Sequence, residues 1–273
     1  MQLFYQRFNV QDYLLFTLLG ITAIVLSANF LNQDVASQTT NWLAIFLSGI
    51  VTIFSLLMVS RYGLKGNHGK AWILFMLFSA YWFCAESIDV TYNFVVETEP
   101  WEYADDFFYI VGYQLFFASL VFYLKPFSKQ ISKRLLTGVT LISILLVVPS
   151  LLMIINSESE LINGNLFLLF SYPIFDSVLL IPALIGVILF FKGEVNFMIS
   201  LLSLGIIAQI IGDNSVLFLS LQGTYFPGHL ADVLFLWSYA MFAFGISNQA
   251  KLFKKENPGS SCPACGKTCE GHS

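Results

Sequence analysis

An all-α, polytopic membrane protein with eight transmembrane helices is the fold class that this sequence predicts. Three observations lead there. Of 273 residues, 57% are hydrophobic and only 11% charged, too few charges to coat a globule. Apolar runs long enough to cross a ~30 Å hydrocarbon core recur along the whole length. Cations fall only on alternate connections between those runs. No basic tract is long enough for nucleic-acid binding, so membrane lipid is the first expected partner.

The spans are predicted at about 13–31, 42–60, 71–94, 105–124, 135–155, 166–191, 197–219 and 229–248. The first is too long for the apolar region of a cleaved signal peptide and is expected to be retained. Polar breaks separate the rest: NQDVASQTTN, RYGLKGNHGK, VETEPWEYAD, KPFSKQISKR, NSESELINGN, KGEVN and SLQGTYFPG. KGEVN is the shortest, and its two charges and glycine favour a tight turn over one continuous helix. All 13 Lys and Arg lie in the N-terminal segment, in the second, fourth and sixth connections, or in the tail. By the positive-inside rule both termini face the cytoplasm, and the expected location is the plasma membrane. Trp42, Trp72 and Trp101 at span ends suit an interfacial aromatic belt. Residues 1–250 then form the membrane domain and 251–273 a cytoplasmic tail. Cys84, inside an apolar run, is expected as a small core residue.

The chain also carries the outline of a parallel 4+4 helix repeat. Span four opens on Asp105-Asp106 with Tyr113 seven residues after Asp106; span eight opens on Asp232 with Tyr239 seven residues after it. Seven residues are two helical turns, so each Asp–Tyr pair shares a face. Each of these spans follows one with acids in its outer part, Glu86 and Asp89 in span three and Asp213 in span seven.

With this topology Glu86, Asp89, Asp105, Asp106, Asp176, Asp213 and Asp232 all fall in the outer half or near the midplane, and no Lys or Arg lies there to pair with them. An ionised side chain at a helix centre costs roughly 2.5–3.5 kcal/mol on insertion scales, so these acids are expected to avoid lipid and share a cavity. The plain alternatives differ. Asp105, Asp106 and Asp232 begin helices, where a carboxylate caps free N–H groups. Glu86, Asp89 and Asp213 lie toward C-terminal ends, where the dipole disfavours an anion; their alternative is a buried acid hydrogen-bonded to a neighbour. Asp176 follows Tyr172-Pro173, where the missing N–H weakens the helix. Unpaired acids that share a cavity need a proton or a cation among them. Oxygen ligands suit Ca²⁺, Mg²⁺ or an organic ammonium, His229 would admit Zn²⁺, and Tyr113 and Tyr239 are among the aromatic faces that could hold a cationic group. The expected ligand- or cation-binding set is Glu86, Asp89, Asp106, Tyr113, Asp176, Asp213, His229, Asp232 and Tyr239.

In the tail, Cys262, Cys265, Cys269 and His272 are spaced C-x2-C-x3-C-x2-H, four ligands in eleven residues, as in a structural zinc site. Reduced cytoplasmic thiols favour metal over a disulfide. There is no P-loop, nucleophile elbow or H-E-x-x-H, and no catalytic residue is assigned.

ADDFFYIVGY, SYPIFDS, GDNSVLF and HLADVLFLWSY, between about residues 104 and 247, resemble the multi-pass sensory region found before diguanylate cyclase or histidine kinase domains in prokaryotes. The resemblance implies a membrane-embedded input module. Only the cysteine tail follows the last span here, so signalling would need a separate cytoplasmic partner. The expected function is therefore a non-enzymatic receptor with an acidic ligand or cation cavity. A proton- or cation-coupled transporter and an intramembrane lipid hydrolase are the alternatives.

Overall fold

The structure is a computed structural model that describes residues 2–94, 104–157, 166–190 and 197–254. Among them eight helices are long and apolar enough to cross a membrane. These are α1 (Gln2–Leu31), α2 (Gln33–Tyr62), α3 (Gly66–Phe94), α4 (Ala104–Leu124), α5 (Lys133–Ile155), α6 (Leu166–Phe190), α7 (Phe197–Leu221) and α8 (Val233–Lys254). Short 3-10 turns, Lys125–Gln130 and Leu230–Asp232, follow α4 and precede α8. The cysteine tail, Trp101 and the KGEVN connection lie outside the described residues.

Two expected connections are mostly helix. NQDVASQTTN shrinks to one hinge residue, Asn32, whose extended backbone breaks the chain while its side chain accepts the Val35 N–H at 2.8 Å. With that cap in place, Thr39 and Thr40 bond their hydroxyls back to Val35 and Ala36 carbonyls, so a polar run stays helical. RYGLKGNHGK likewise keeps only Gly63–Lys65 outside helix. Gly63 closes α2 at φ 66, a conformation that a side chain would strain, and its N–H returns to the Val59 carbonyl.

Sequential helices pack as α1 on α2, α2 on α3, α3 on α4, α5 on α6, α6 on α7 and α7 on α8, and the chain closes through α2 with α8 and α4 with α6. The centre is aromatic. Phe78 and Phe116 stack at 4.4 Å, and Phe242 meets them edge-on at 5.9 and 5.5 Å. Trp82 lies next to Phe78 at 4.6 Å, and all four rings are fully buried. Trp72 is a correction: it does not sit at an interface but is 2% exposed, stacked on Tyr62 and edge-on to Phe75. Trp42, which the longer α2 places inside the helix instead of at its start, is 61% exposed. Cys84, expected in the core, is exposed on the outside of α3. The perimeter is otherwise strongly apolar, as with Phe30, Phe46 and Leu145.

Candidate functional site

Glu86 and Asp89 lie near the end of α3, Asp105 and Asp106 at the start of α4, Asp213 near the end of α7, and Asp232 just before α8. Because successive helices run antiparallel, these positions meet at one end of the bundle. There they line a cavity of about 510 Å³, together with Thr40, Asn41, Tyr109, Tyr172, Gln209, Asn214, Tyr225 and apolar side chains such as Leu169 and Phe235. Six carboxylates thus face one space, and among the described residues its lining contains no Lys, Arg or His. Among the described residues no three His, Cys, Asp or Glu converge as a metal site would require.

Tyrosines hold four of the acids. The Tyr239 hydroxyl donates to Glu86 at 2.6 Å, and Tyr225 donates to Asp232 at 3.2 Å. Tyr113 donates to Asp213, and Tyr172 to Asp106. Tyr113 and Tyr239 do not line the cavity; each supports a lining carboxylate from behind. A phenol is a suitable partner here, since it carries its hydrogen-bond donor on a ring that packs in the core. Trp82 backs both, with ring centroids at 5.5 Å from Tyr113 and 6.1 Å from Tyr239, while its indole N–H donates to the Tyr109 carbonyl at 3.2 Å. In the α7–α8 loop, burial and then the Asp232 carboxylate push the Tyr225 phenol up from its ordinary value, which keeps it a donor.

The expected caps divide. Asp105 lies in the first turn of α4, where an acid faces the free N–H groups of the helix start. Asp232 does not cap its own helix; it reaches back to the Gly228 N–H at 2.7 Å, and the cap of the Leu230–Asp232 turn is His229, whose Nδ1 accepts the Ala231 N–H at 3.1 Å. His229 is outside the cavity lining. Gly228 has φ 89, its carbonyl accepts from Asn29, and a Cβ there would strike the backbone of Ala36 and Ser37. The α7–α8 loop is thereby pressed onto the α1–α2 turn and walls the cavity.

Asp176 also departs from expectation. It is 1% exposed and lies behind the lining rather than in it, with the Asp213 carboxyl acting on it as a neighbouring charge. Asn214 Nδ2 donates to Asp176 Oδ2 at 3.3 Å, and Ser150 donates to Asn214 Oδ1 at 2.6 Å. The acids Glu86, Asp89, Asp106, Asp213 and Asp232 therefore share the cavity, and Asp176 backs it. Asn214 and Tyr225 were not singled out from the sequence. A polar amide directly after a buried acid was the available signal for the first; Tyr225, in a loop, offered none.

No family model matches the chain, and no curated protein or solved structure matches it.

Proposed function

We propose that the protein is a multi-pass membrane receptor for an organic cation, without catalytic activity of its own. The observation that carries this reading is a cavity of about 510 Å³ with six carboxylates, tyrosine walls and, among the described residues, no basic side chain in its lining. That volume suits a small molecule, and carboxylates with tyrosine rings beside them suit an organic ammonium group. Cations on the opposite connections argue for an outward-facing cavity, both termini in the cytoplasm and the plasma membrane as location. Broad exposed apolar surfaces on α1, α2 and α5 support insertion in lipid.

A parallel 4+4 repeat is supported by matched contacts. Tyr113 of α4 bonds Asp213 of α7, and Tyr239 of α8 bonds Glu86 of α3. The packing of α4 on α6 likewise answers that of α8 on α2. The ligand would sit between the halves, where a small change in their spacing reaches the far end of the bundle. A separate signalling partner would read that change, in line with the resemblance to prokaryotic sensory regions. The cysteine tail would bind one zinc ion through Cys262, Cys265, Cys269 and His272. A transporter would need a polar path beyond the cavity, and the fully buried layer of Phe78, Phe116 and Phe242 speaks against one.

The test is thermal unfolding in detergent with tetramethylammonium, Ca²⁺, Mg²⁺ or Zn²⁺, for wild type and Asp213→Asn. Stabilisation of wild type by tetramethylammonium, absent in the variant, is expected. Equal, cation-independent curves would reduce the acids to structural hydrogen bonding.

A further inference from the structure

The acid behind the cavity wall has an incomplete set of partners. Asp176 is 1% exposed, and its Oδ2 accepts from Asn214, yet its Oδ1 has no hydrogen-bond donor. Beside Asn214, the Asp213 carboxyl and the Tyr113 hydroxyl act on it. Tyr113 has one proton and gives it to Asp213. Two carboxyl groups can hydrogen-bond only if one of them carries a proton, because two carboxylates offer four acceptors and no donor. A buried carboxylate oxygen without a donor is costly, and a proton between the pair removes that cost without any further side chain.

We propose that Asp176 and Asp213 hold a single exchangeable proton at the floor of the cavity, and that a cation entering at Asp213 displaces it. The inference rests on the cation-receptor reading above and adds its proton linkage. The exchange balances. The pair with its proton carries one negative charge; a monovalent cation enters, the O–H bond breaks, and the proton leaves through the cavity to water. The charge of the pair plus its occupant is the same before and after.

The surroundings offer no competing counter-charge. From α4 the pair is faced by Tyr113, with Asp106 held by Tyr172 of α6. From α8, Tyr239 faces Asp213, and its own proton is committed to Glu86 of α3. From α5 comes Ser150, which does not titrate and reaches the pair through Asn214. No Lys, Arg or His among the described residues acts on either carboxyl. Asp213 lines the cavity and Asp176 does not, so the ligand meets one member and the proton ties it to the other.

The experiment uses the full chain in lipid nanodiscs and tetramethylammonium, which has no exchangeable proton, so that any proton released comes from the protein. Infrared difference spectra follow the carboxylic-acid carbonyl band, and a pH dye in weak buffer follows release. Wild type should show the band and lose it as the ligand saturates, with a proton released for each cation bound. Its affinity should rise by up to about tenfold per pH unit while proton and cation compete. Asp176→Asn should lack the band and bind with little pH dependence. Binding without proton release, the band unchanged, would overturn the exchange and leave the receptor reading standing. Absence of binding, with the band intact, would overturn both. Should Asp176→Asn fail to fold, the wild-type spectra and dye signal alone decide.

Discussion

Gly205 on α7 faces α8 where the two helices approach closely, and Gly205→Ala probes how tightly that contact sets the site. A Cβ there would lie 2.5 Å from Cε1 and 2.8 Å from Cδ1 of Phe242, and 3.1 Å from the Ser238 carbonyl oxygen. Ordinary carbon contacts are about 3.5–4.0 Å, so the ring must retreat by about 1 Å. It has no room to do so, since Phe75, Phe78 and Phe116 stand at centroid distances of 6.0, 5.9 and 5.5 Å. The Ser238 oxygen is backbone, so relief requires α8 to move away from α7. Overpacking of this kind costs about 1–3 kcal/mol, and the backbone contact argues for the upper end. An outward shift of α8 also draws Tyr239, three residues before Phe242, away from Glu86. The assay is equilibrium unfolding in mixed micelles, alone and with Phe242→Leu to relieve the ring contact. Recovery of about 1 kcal/mol or more in the double variant is expected. A Gly205→Ala protein within about 0.5 kcal/mol of wild type would refute the close approach of α7 and α8.

Tyr239→Phe and Tyr113→Phe each remove the donor to a half-buried carboxyl, Glu86 or Asp213. Each should lower stability by about 1–3 kcal/mol in the same unfolding assay, and a loss at only one of them would break the equivalence of the two halves. Cysteines placed at Lys65 and Thr224, both exposed and at opposite ends of the bundle, should react with membrane-impermeant reagents from opposite sides of intact cells; labelling of both from outside would reverse the topology argument. Purified protein should hold one zinc ion, lost on Cys262→Ser with Cys265→Ser; zinc retained at full stoichiometry would exclude the tail as its site.

The helices were legible because apolar runs of membrane length leave little choice of structure, and the acids because an ion in lipid is expensive wherever it sits. What failed was local. NQDVASQTTN looks like a loop by composition, but one Asn32 cap and two threonines bonding back along the helix make it part of α2. That shift brings Thr40 and Asn41 to the cavity wall, where the sequence reading had no residues of α2. Trp72 was placed by its position near a span end; packing against Tyr62 and Phe75 holds it inside. The position of Asp176 along α6 followed from the span boundaries, but its placement behind Asp213 depends on how α6 turns against α7, which spacing along one helix does not contain. His229 lies one helical turn from Asp232 in sequence, yet its ring is spent on the Ala231 N–H.

The most direct measurement is tetramethylammonium binding and uptake in proteoliposomes reconstituted with wild type or Asp213→Asn, with bound and internalised cation counted separately. Tetramethylammonium does not cross lipid as a neutral base, so accumulation reports transport alone. The expected result is saturable binding to wild type, its loss in Asp213→Asn, and no accumulation inside in either case. Binding equal in the two proteins would contradict the acidic cavity as the site, and accumulation dependent on wild-type protein would make it a transporter instead of a receptor.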